Sequence, residues 1–155
     1  MDLTQRIAYF LILILSVGLG LWKGGAPERT GALVFVAMAL VQAAVMSVIP
    51  SHFVKVDPDS LMTDLIGFLG FGYLALEARR FWPIWATSLQ ILSLSAHFVR
   101  WADIGIHPLV YAVMRGGPTF GAAIAILIGT LSHWRRLHRH GFDASWQTWS
   151  RHAAR

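Results

Sequence analysis

The apolar residues of this chain fall into unbroken blocks near 20 residues long, separated by short turn-rich or charged links. No other feature constrains the fold as strongly. A surface helix of a soluble protein carries its apolar residues as a stripe, whereas a continuous block of this length can cross the roughly 30 Å hydrocarbon layer of a bilayer as a helix. Composition agrees: 55% of residues are hydrophobic and 14% charged, against about 25% charged in a typical soluble domain. With 155 residues, the chain has room for one compact helical unit and no separate soluble domain of useful size.

Five blocks are predicted as spans, over residues 3–22, 30–49, 58–78, 81–100 and 108–133. The expected fold is therefore an all-α membrane protein. A five-transmembrane-helix bundle occupies residues 1–134, and a basic, aromatic C-terminal tail occupies 135–155. Lys23-Gly24-Gly25-Ala26-Pro27 makes the first link, and Pro50 ends span two. Asp57 is suited to cap span three, with Pro58 at the first helical position. Arg79-Arg80 forms a tight hairpin into span four, where Pro83 occupies the permitted first turn. Span five has two readings, because Arg115-Gly116-Gly117-Pro118 interrupts its apolar run. It is either one long helix kinked at Pro118, the reading favoured here, or a short half-helix followed by a span. The N-terminus is not a signal peptide by pattern: Asp2 and a single Arg6 precede the apolar stretch, and no small-x-small cleavage site follows it.

Charge orients the spans. With the C-terminus in the cytoplasm, the inner face gathers nine basic residues: Lys23, Arg29, Arg79, Arg80, Arg135, Arg136, Arg139, Arg151 and Arg155. The outer face holds three, Arg6, Lys55 and Arg100. That asymmetry fits a multi-pass protein of the bacterial inner membrane with a periplasmic N-terminus. Trp22, Trp82, Trp85 and Trp134 fall at inner ends and Trp101 at an outer end, as interfacial aromatics do. The formal charge of +5 is thus read as topology, and no nucleic-acid partner is expected. In the tail, Phe142, Trp146 and Trp149 recur at helical spacing. They predict an amphipathic helix, capped by Asp143 or Ser145, lying on the cytoplasmic leaflet with Arg135, Arg136 and Arg139 toward anionic headgroups.

Ionisable residues inside a membrane cost roughly 3 kcal/mol each, so each one asks for a reason. At 1.5 Å per residue, Asp64 lies about 9 Å below the start of span three and Arg115 about 10 Å below Pro108. His97 lies about one turn below the outer end of span four. Three ionisable residues from three helices thus share one outer-leaflet layer. Gln90, Ser93 and His97 lie on one face of span four, and Gln42 on span two is near mid-depth. These six residues form either a polar pocket for a small ligand or proton, or a structural Asp64–Arg115 ion pair with His97 bonded nearby. Haem through His97 is conceivable with His107 as a second axial ligand; no other cofactor is expected. His133, His138 and His140 with Asp143 match no strong metal-ligand spacing, and no metal is expected there.

Small residues line three spans: Gly117, Gly121, Ala125 and Gly129; Ala39, Ala43 and Ser47; Thr63, Gly67 and Gly70. Such faces allow close helix approach, within the chain or between copies. Cysteine is absent, which removes disulfides and thiolate chemistry. No GxxxxGK[ST], HExxH, GxSxG or GxGxxG occurs. Asp57 and Asp59 read as helix-capping residues, so catalysis has no motif behind it.

The stretch Arg80-Phe81-Trp82-Pro83-Ile84-Trp85-Ala86, followed by Gln90 and Ala96-His97, resembles a pattern in small uncharacterised polytopic inner-membrane proteins of Alphaproteobacteria. The likeness covers mainly spans three and four. It implies that the inner-end aromatic hairpin and His97 belong to the design of that group, and it carries no function across. Three functional readings follow from the residues. The first is a non-catalytic accessory, scaffold or assembly subunit of a larger inner-membrane complex, with protein partners or further copies of itself in the bilayer; electron transfer is the process considered for such a complex. The second is a small binding or transport protein using the outer-leaflet Asp/His/Arg layer. The third is a haem- or quinone-binding redox protein centred on His97.

Overall fold

The computed structural model describes residues 3–48, 58–102, 105 and 107–147, some of them, Arg115 included, by the backbone alone. Among the described residues there are five α-helices: α1 (Leu3–Lys23), α2 (Ala26–Val48), α3 (Pro58–Glu77), α4 (Trp82–Trp101) and α5 (Pro108–His140). The first link is shorter than expected. Only Gly24 and Gly25 break the helices, because Pro27 is tolerated in a first turn, where its missing N–H has no partner to lose. Glu28 follows in the same turn, and the Arg29 N–H already bonds to the Gly25 carbonyl at 3.0 Å. Helix α3 begins at Pro58 as expected; Asp57, its expected cap, lies outside the described residues. Span five is one continuous helix with a buried Pro118 inside it. It runs beyond the expected end at 133 to His140, so the first part of the predicted tail belongs to α5.

The helices close into a ring. Each packs on the next in chain order, α5 returns to α1, and α2 also touches α5 across the middle. The core inside the ring is Phe35 and Met38 from α2, Phe71 and Leu74 from α3, Trp82 and Ala86 from α4, and Ala122, Ala123 and Ile126 from α5. Ile12, Leu13 and Val17 of α1 pack against it. One end of the bundle, the turn end, holds the α1–α2 and α3–α4 turns and the end of α5.

Two of the three small-residue faces serve this packing. A Cβ on Gly129 would overlap the Trp82 indole, and one on Gly121 would stand 2.8 Å from Leu89, so that face of α5 seats α4. Gly67 and Gly70 receive Gln90 and Val34 in the same way. Ala39, Ala43 and Ser47 on α2 are exposed instead.

The distribution of polarity is inverted relative to a water-soluble domain. Gln90, Glu28 and Ser93 are fully buried, while Leu76 is 69% exposed, Ile14 66% and Leu40 66%. By length and composition two helices, α2 and α3, are apolar enough to cross a membrane, and α1 adds a shorter apolar stretch, Ile7–Lys23. The expectation of five spans is therefore met on this measure at two. In α4 the mean is lowered by Gln90, Ser93 and His97, all of which face inward.

The tail departs from its predicted helix. Gly141, at φ +68°, takes the left-handed conformation that ends helices, and its N–H closes on the Leu137 carbonyl at 2.9 Å; an L side chain there is strained. Residues 141–147 are non-helical. They form a strap that turns back over the α3–α4 hairpin. Arg79 N–H donates to Ser145 O at 3.1 Å and Gln147 N–H to Glu77 O at 2.8 Å, with an antiparallel bridge between Ala78 and Trp146. Phe142 and Trp146 therefore do not share a helical face over this segment, since backbone pairing with a fixed hairpin displaces the local helical periodicity. Trp149 lies outside the described residues.

Candidate functional site

Two polar clusters are buried in this bundle. The first is a column along the inner face of α4. Gln90, Ser93 and His97 succeed one another at i, i+3 and i+7, which keeps all three on one side of a helix. Asp64 of α3 stands opposite. Ser93 Oγ donates to Asp64 Oδ2 at 2.6 Å, and His97 Nε2 lies 2.9 Å from the same oxygen. All three side chains are buried.

Two groups thus converge on one carboxylate oxygen. The serine hydroxyl is spent on the carboxylate and not on the imidazole, so no hydroxyl–imidazole–carboxylate relay of the hydrolase kind exists here. Asp64 and His97 instead form one buried contact across the α3–α4 seam, 2.9 Å between imidazole nitrogen and carboxylate oxygen. Deleting either side chain would strip the other of a buried hydrogen-bond partner, at a cost of about 1–3 kcal/mol.

Three polar atoms of the column have no hydrogen-bond partner: Gln90 Nε2, Gln90 Oε1 and His97 Nδ1. Gln90 reaches its position because Gly67 lacks a side chain; a Cβ there would come within 2.9 Å of the amide carbon and nitrogen. A buried amide without partners is expensive, roughly 1–3 kcal/mol per unsatisfied group. The column thus presents an amide NH2, an amide oxygen and one ring nitrogen beside the Asp64–His97 contact.

The second cluster is a clasp at the turn end. Glu28 Oε1 accepts from Arg80 Nε at 3.1 Å and from Trp82 Nε1 at 3.1 Å. Arg80 Nη2 donates to Asp143 Oδ2 at 2.7 Å, and Arg80 Nη1 to the Ala144 and Arg79 carbonyls at 2.8 and 3.0 Å. His133 Nδ1 is 2.6 Å from Asp143 Oδ2, and Arg136 Nε donates to Asp143 Oδ1 at 3.1 Å. Two acids thus face two arginines with a histidine between them. Burial pushes the Asp143 carboxyl up, but hydrogen bonds from Arg136 and His133 and the charges of Arg80 and Arg136 outweigh it, leaving the group below its ordinary range. Arg80 and Asp143 have their polar atoms engaged, while Glu28 Oε2 and Arg136 Nη2 are buried without a partner among the described residues; the bonds that are made fasten α2, the α3–α4 hairpin, α5 and the strap together.

The residues expected from the sequence divide clearly. Asp64, Ser93, His97 and Gln90 come together. Gln42 does not: the inward line of α2 passes through Phe35 and Met38 and on to half-buried Val41 and Val45, which turns Gln42 outward to an exposed position. Arg115 lies on α5. His133 meets Asp143, whereas His138 and His140 are exposed, and among the described residues no three metal-ligating side chains converge. Trp134, Arg135 and Arg139 are exposed on α5, while Arg136 turns into the clasp. Glu28 is the residue that sequence reading passes over. It does leave a signal: it is an acid at the one end where the spans place most of the cations.

The described residues define a small all-helical bundle with an apolar exterior and, beside its apolar core, two buried polar clusters. Comparison with protein-family models, with curated proteins and with solved structures found no match.

Proposed function

We propose that this chain is a five-span inner-membrane protein whose interior column of Asp64, Ser93, His97 and Gln90 binds a small hydrogen-bonding ligand, with the Asp64–His97 contact as its polar centre. The observation that carries this reading is the burial of Gln90 and His97 Nδ1 without partners among the described residues, beside the Asp64–His97 contact. Every acid and arginine of the clasp keeps at least one bonded partner, whereas Gln90 has neither amide atom engaged, so the column is the cluster with a whole side chain open to a ligand.

The membrane assignment rests on the inverted polarity. Only 22% of the apolar window of α2 and 28% of that of α3 is buried inside the bundle. The central helix of a soluble protein would be mostly buried, so the exposed remainder asks for an apolar solvent. The charge asymmetry of the sequence puts the turn end on the cytoplasmic side.

Native mass spectrometry of the chain, extracted gently from its own membranes, tests the reading. Bound small-molecule mass that is lost in Asp64→Asn and in His97→Ala, with the bundle still folded, is the expected result. A chain that carries no small molecule, with both variants only less stable, would reduce the column to a structural pair. The accessory-subunit reading is favoured by one separate observation: Trp22, Phe81, Trp85 and Phe142 are all highly exposed at the turn end, and aromatic residues of this kind are enriched where proteins dock on one another. Co-purifying subunits in the same spectrum would support it.

A further inference from the structure

The cytoplasmic end of α5 carries a face that neither cluster uses. Ile128 and Leu131 are exposed on it, followed by Trp134, then Arg135, His138 and Arg139. These positions follow i, i+3, i+4 steps and form one stripe, apolar first, aromatic next and cationic last. Trp134, Arg135, His138 and Arg139 line an open groove of about 240 Å³ whose walls are almost wholly the apolar rings and stems of these side chains, so a phosphate would be met at its rim and not on its floor. His138 is braced in it: its Nδ1 donates to the Trp134 carbonyl at 2.9 Å, and its ring meets the indole edge-on at 5.0 Å between centroids.

The opposite face of the same turns is committed to the clasp through His133 and Arg136. Arg135 and Arg139 take no part in it and have no acidic partner among the described residues. Two uncompensated guanidinium groups one turn apart suit a phosphate, which each can bind through parallel N–H donors. The order along the stripe matches a phospholipid lying against the helix. Its acyl chain would run along Ile128 and Leu131, its glycerol region would meet Trp134, and its phosphodiester would lie between the arginines.

We infer that this groove is a binding site for the headgroup of an anionic glycerophospholipid of the cytoplasmic leaflet. The inference rests on the membrane placement proposed above. It is independent of the interior column.

The test uses the full chain in mixed micelles with phosphatidylglycerol, phosphatidylcholine or inorganic phosphate, read by native mass spectrometry. Wild type is expected to retain phosphatidylglycerol at least about tenfold over phosphatidylcholine, since the second lipid offers its phosphate with a compensating cation. Arg135→Gln with Arg139→Gln is expected to lose that preference, while Arg79→Gln, which removes an exposed charge from the hairpin, keeps it. Equal retention of the two lipids, an unchanged double variant, or an equal loss in Arg79→Gln would each overturn the site. Full competition by millimolar inorganic phosphate would overturn the lipid as its source and leave a phosphate site. If the membrane placement itself is wrong, the chain will instead fractionate into the aqueous phase without detergent, an outcome separate from loss of lipid preference.

Discussion

Arg80 and Asp143, 63 residues apart in the chain, meet at 2.7 Å and join the α3–α4 hairpin to the strap that follows α5. Arg80 simultaneously bonds to Glu28 at the head of α2. One guanidinium therefore holds three separate stretches of backbone, and its planar fork of five donors is what allows this.

Removing that fork should be costly. Arg80→Ala leaves Glu28 buried without its cation and Asp143 with one partner fewer. The expected loss is about 3–5 kcal/mol, the range for breaking a buried ion pair from one side. Arg80→Lys should recover only part of it, because an ammonium cannot reach both carboxylates in the same geometry. Thermal unfolding in detergent measures both; a melting point for Arg80→Ala indistinguishable from wild type would refute the clasp.

Acid should release the strap. The folded Asp143 carboxyl titrates below its ordinary value of 3.8, so its ionised form is the one that binds. That contribution is complete above the unfolded value and is lost as pH falls through the folded one. Amide exchange at Arg79 and Gln147, whose N–H groups bond across the strap, should stay slow at neutral and mildly acidic pH. It should rise below pH 3.8 after correction for intrinsic rates. In Asp143→Asn the protection should be weaker at neutral pH, with no acid step. Unchanged protection of wild type well below the folded value would count against this account.

Trp82 is wedged between two glycines, Gly31 of α2 and Gly129 of α5. A Cβ on Gly31 would lie 2.5 Å from the indole, and one on Gly129 would overlap it. Gly129→Ala and Gly31→Ala should each destabilise by about 1–3 kcal/mol through overpacking. Gly18→Ala, with nothing within 4 Å of the new methyl, should be neutral or slightly stabilising, since alanine is the better helix former. Equal melting points for Gly129→Ala and Gly18→Ala would show that the wedge is not tight.

Gln90→Leu separates structure from function in the column. Leucine is close in size and removes both unpartnered amide atoms. Stability should be unchanged or higher, because an unsatisfied buried amide is replaced by an apolar group. Bound small-molecule mass should fall in the same preparation. Retention of the ligand at wild-type level would take Gln90 out of the site.

Much of this architecture is legible in the order of residues. The five apolar blocks place the five helices, within a few residues except at the end of α5, which runs to His140 and not to 133, since block length and flanking Pro, Gly and charged residues act locally. The alignment of Asp64 with Ser93 and His97 follows from helix rise alone, because antiparallel neighbours with short links have little freedom in register. For span five the sequence allows two forms, and the fold selects the continuous helix because its neighbours hold Pro118 in packed surroundings.

Contact across long separations is not written in chain order. Arg80 and Arg79 look alike in sequence, yet one is buried in the clasp and the other is exposed. Phe142 and Trp146 have helical spacing, but Glu77 and Arg79 offer that segment backbone acceptors and donors, and pairing with them prevails. Gln42 misses the column by one step around its helix, a rotation that hydropathy does not record. The sequence by itself determined that the five apolar segments are helical and which end of each is charged, because those depend on neighbours within a turn or two; it did not determine the tail, whose helical spacing gave way to pairing with the hairpin. The tertiary structure decided which charges are buried together and which polar groups are left open, because those depend on the rotation of each helix against the rest.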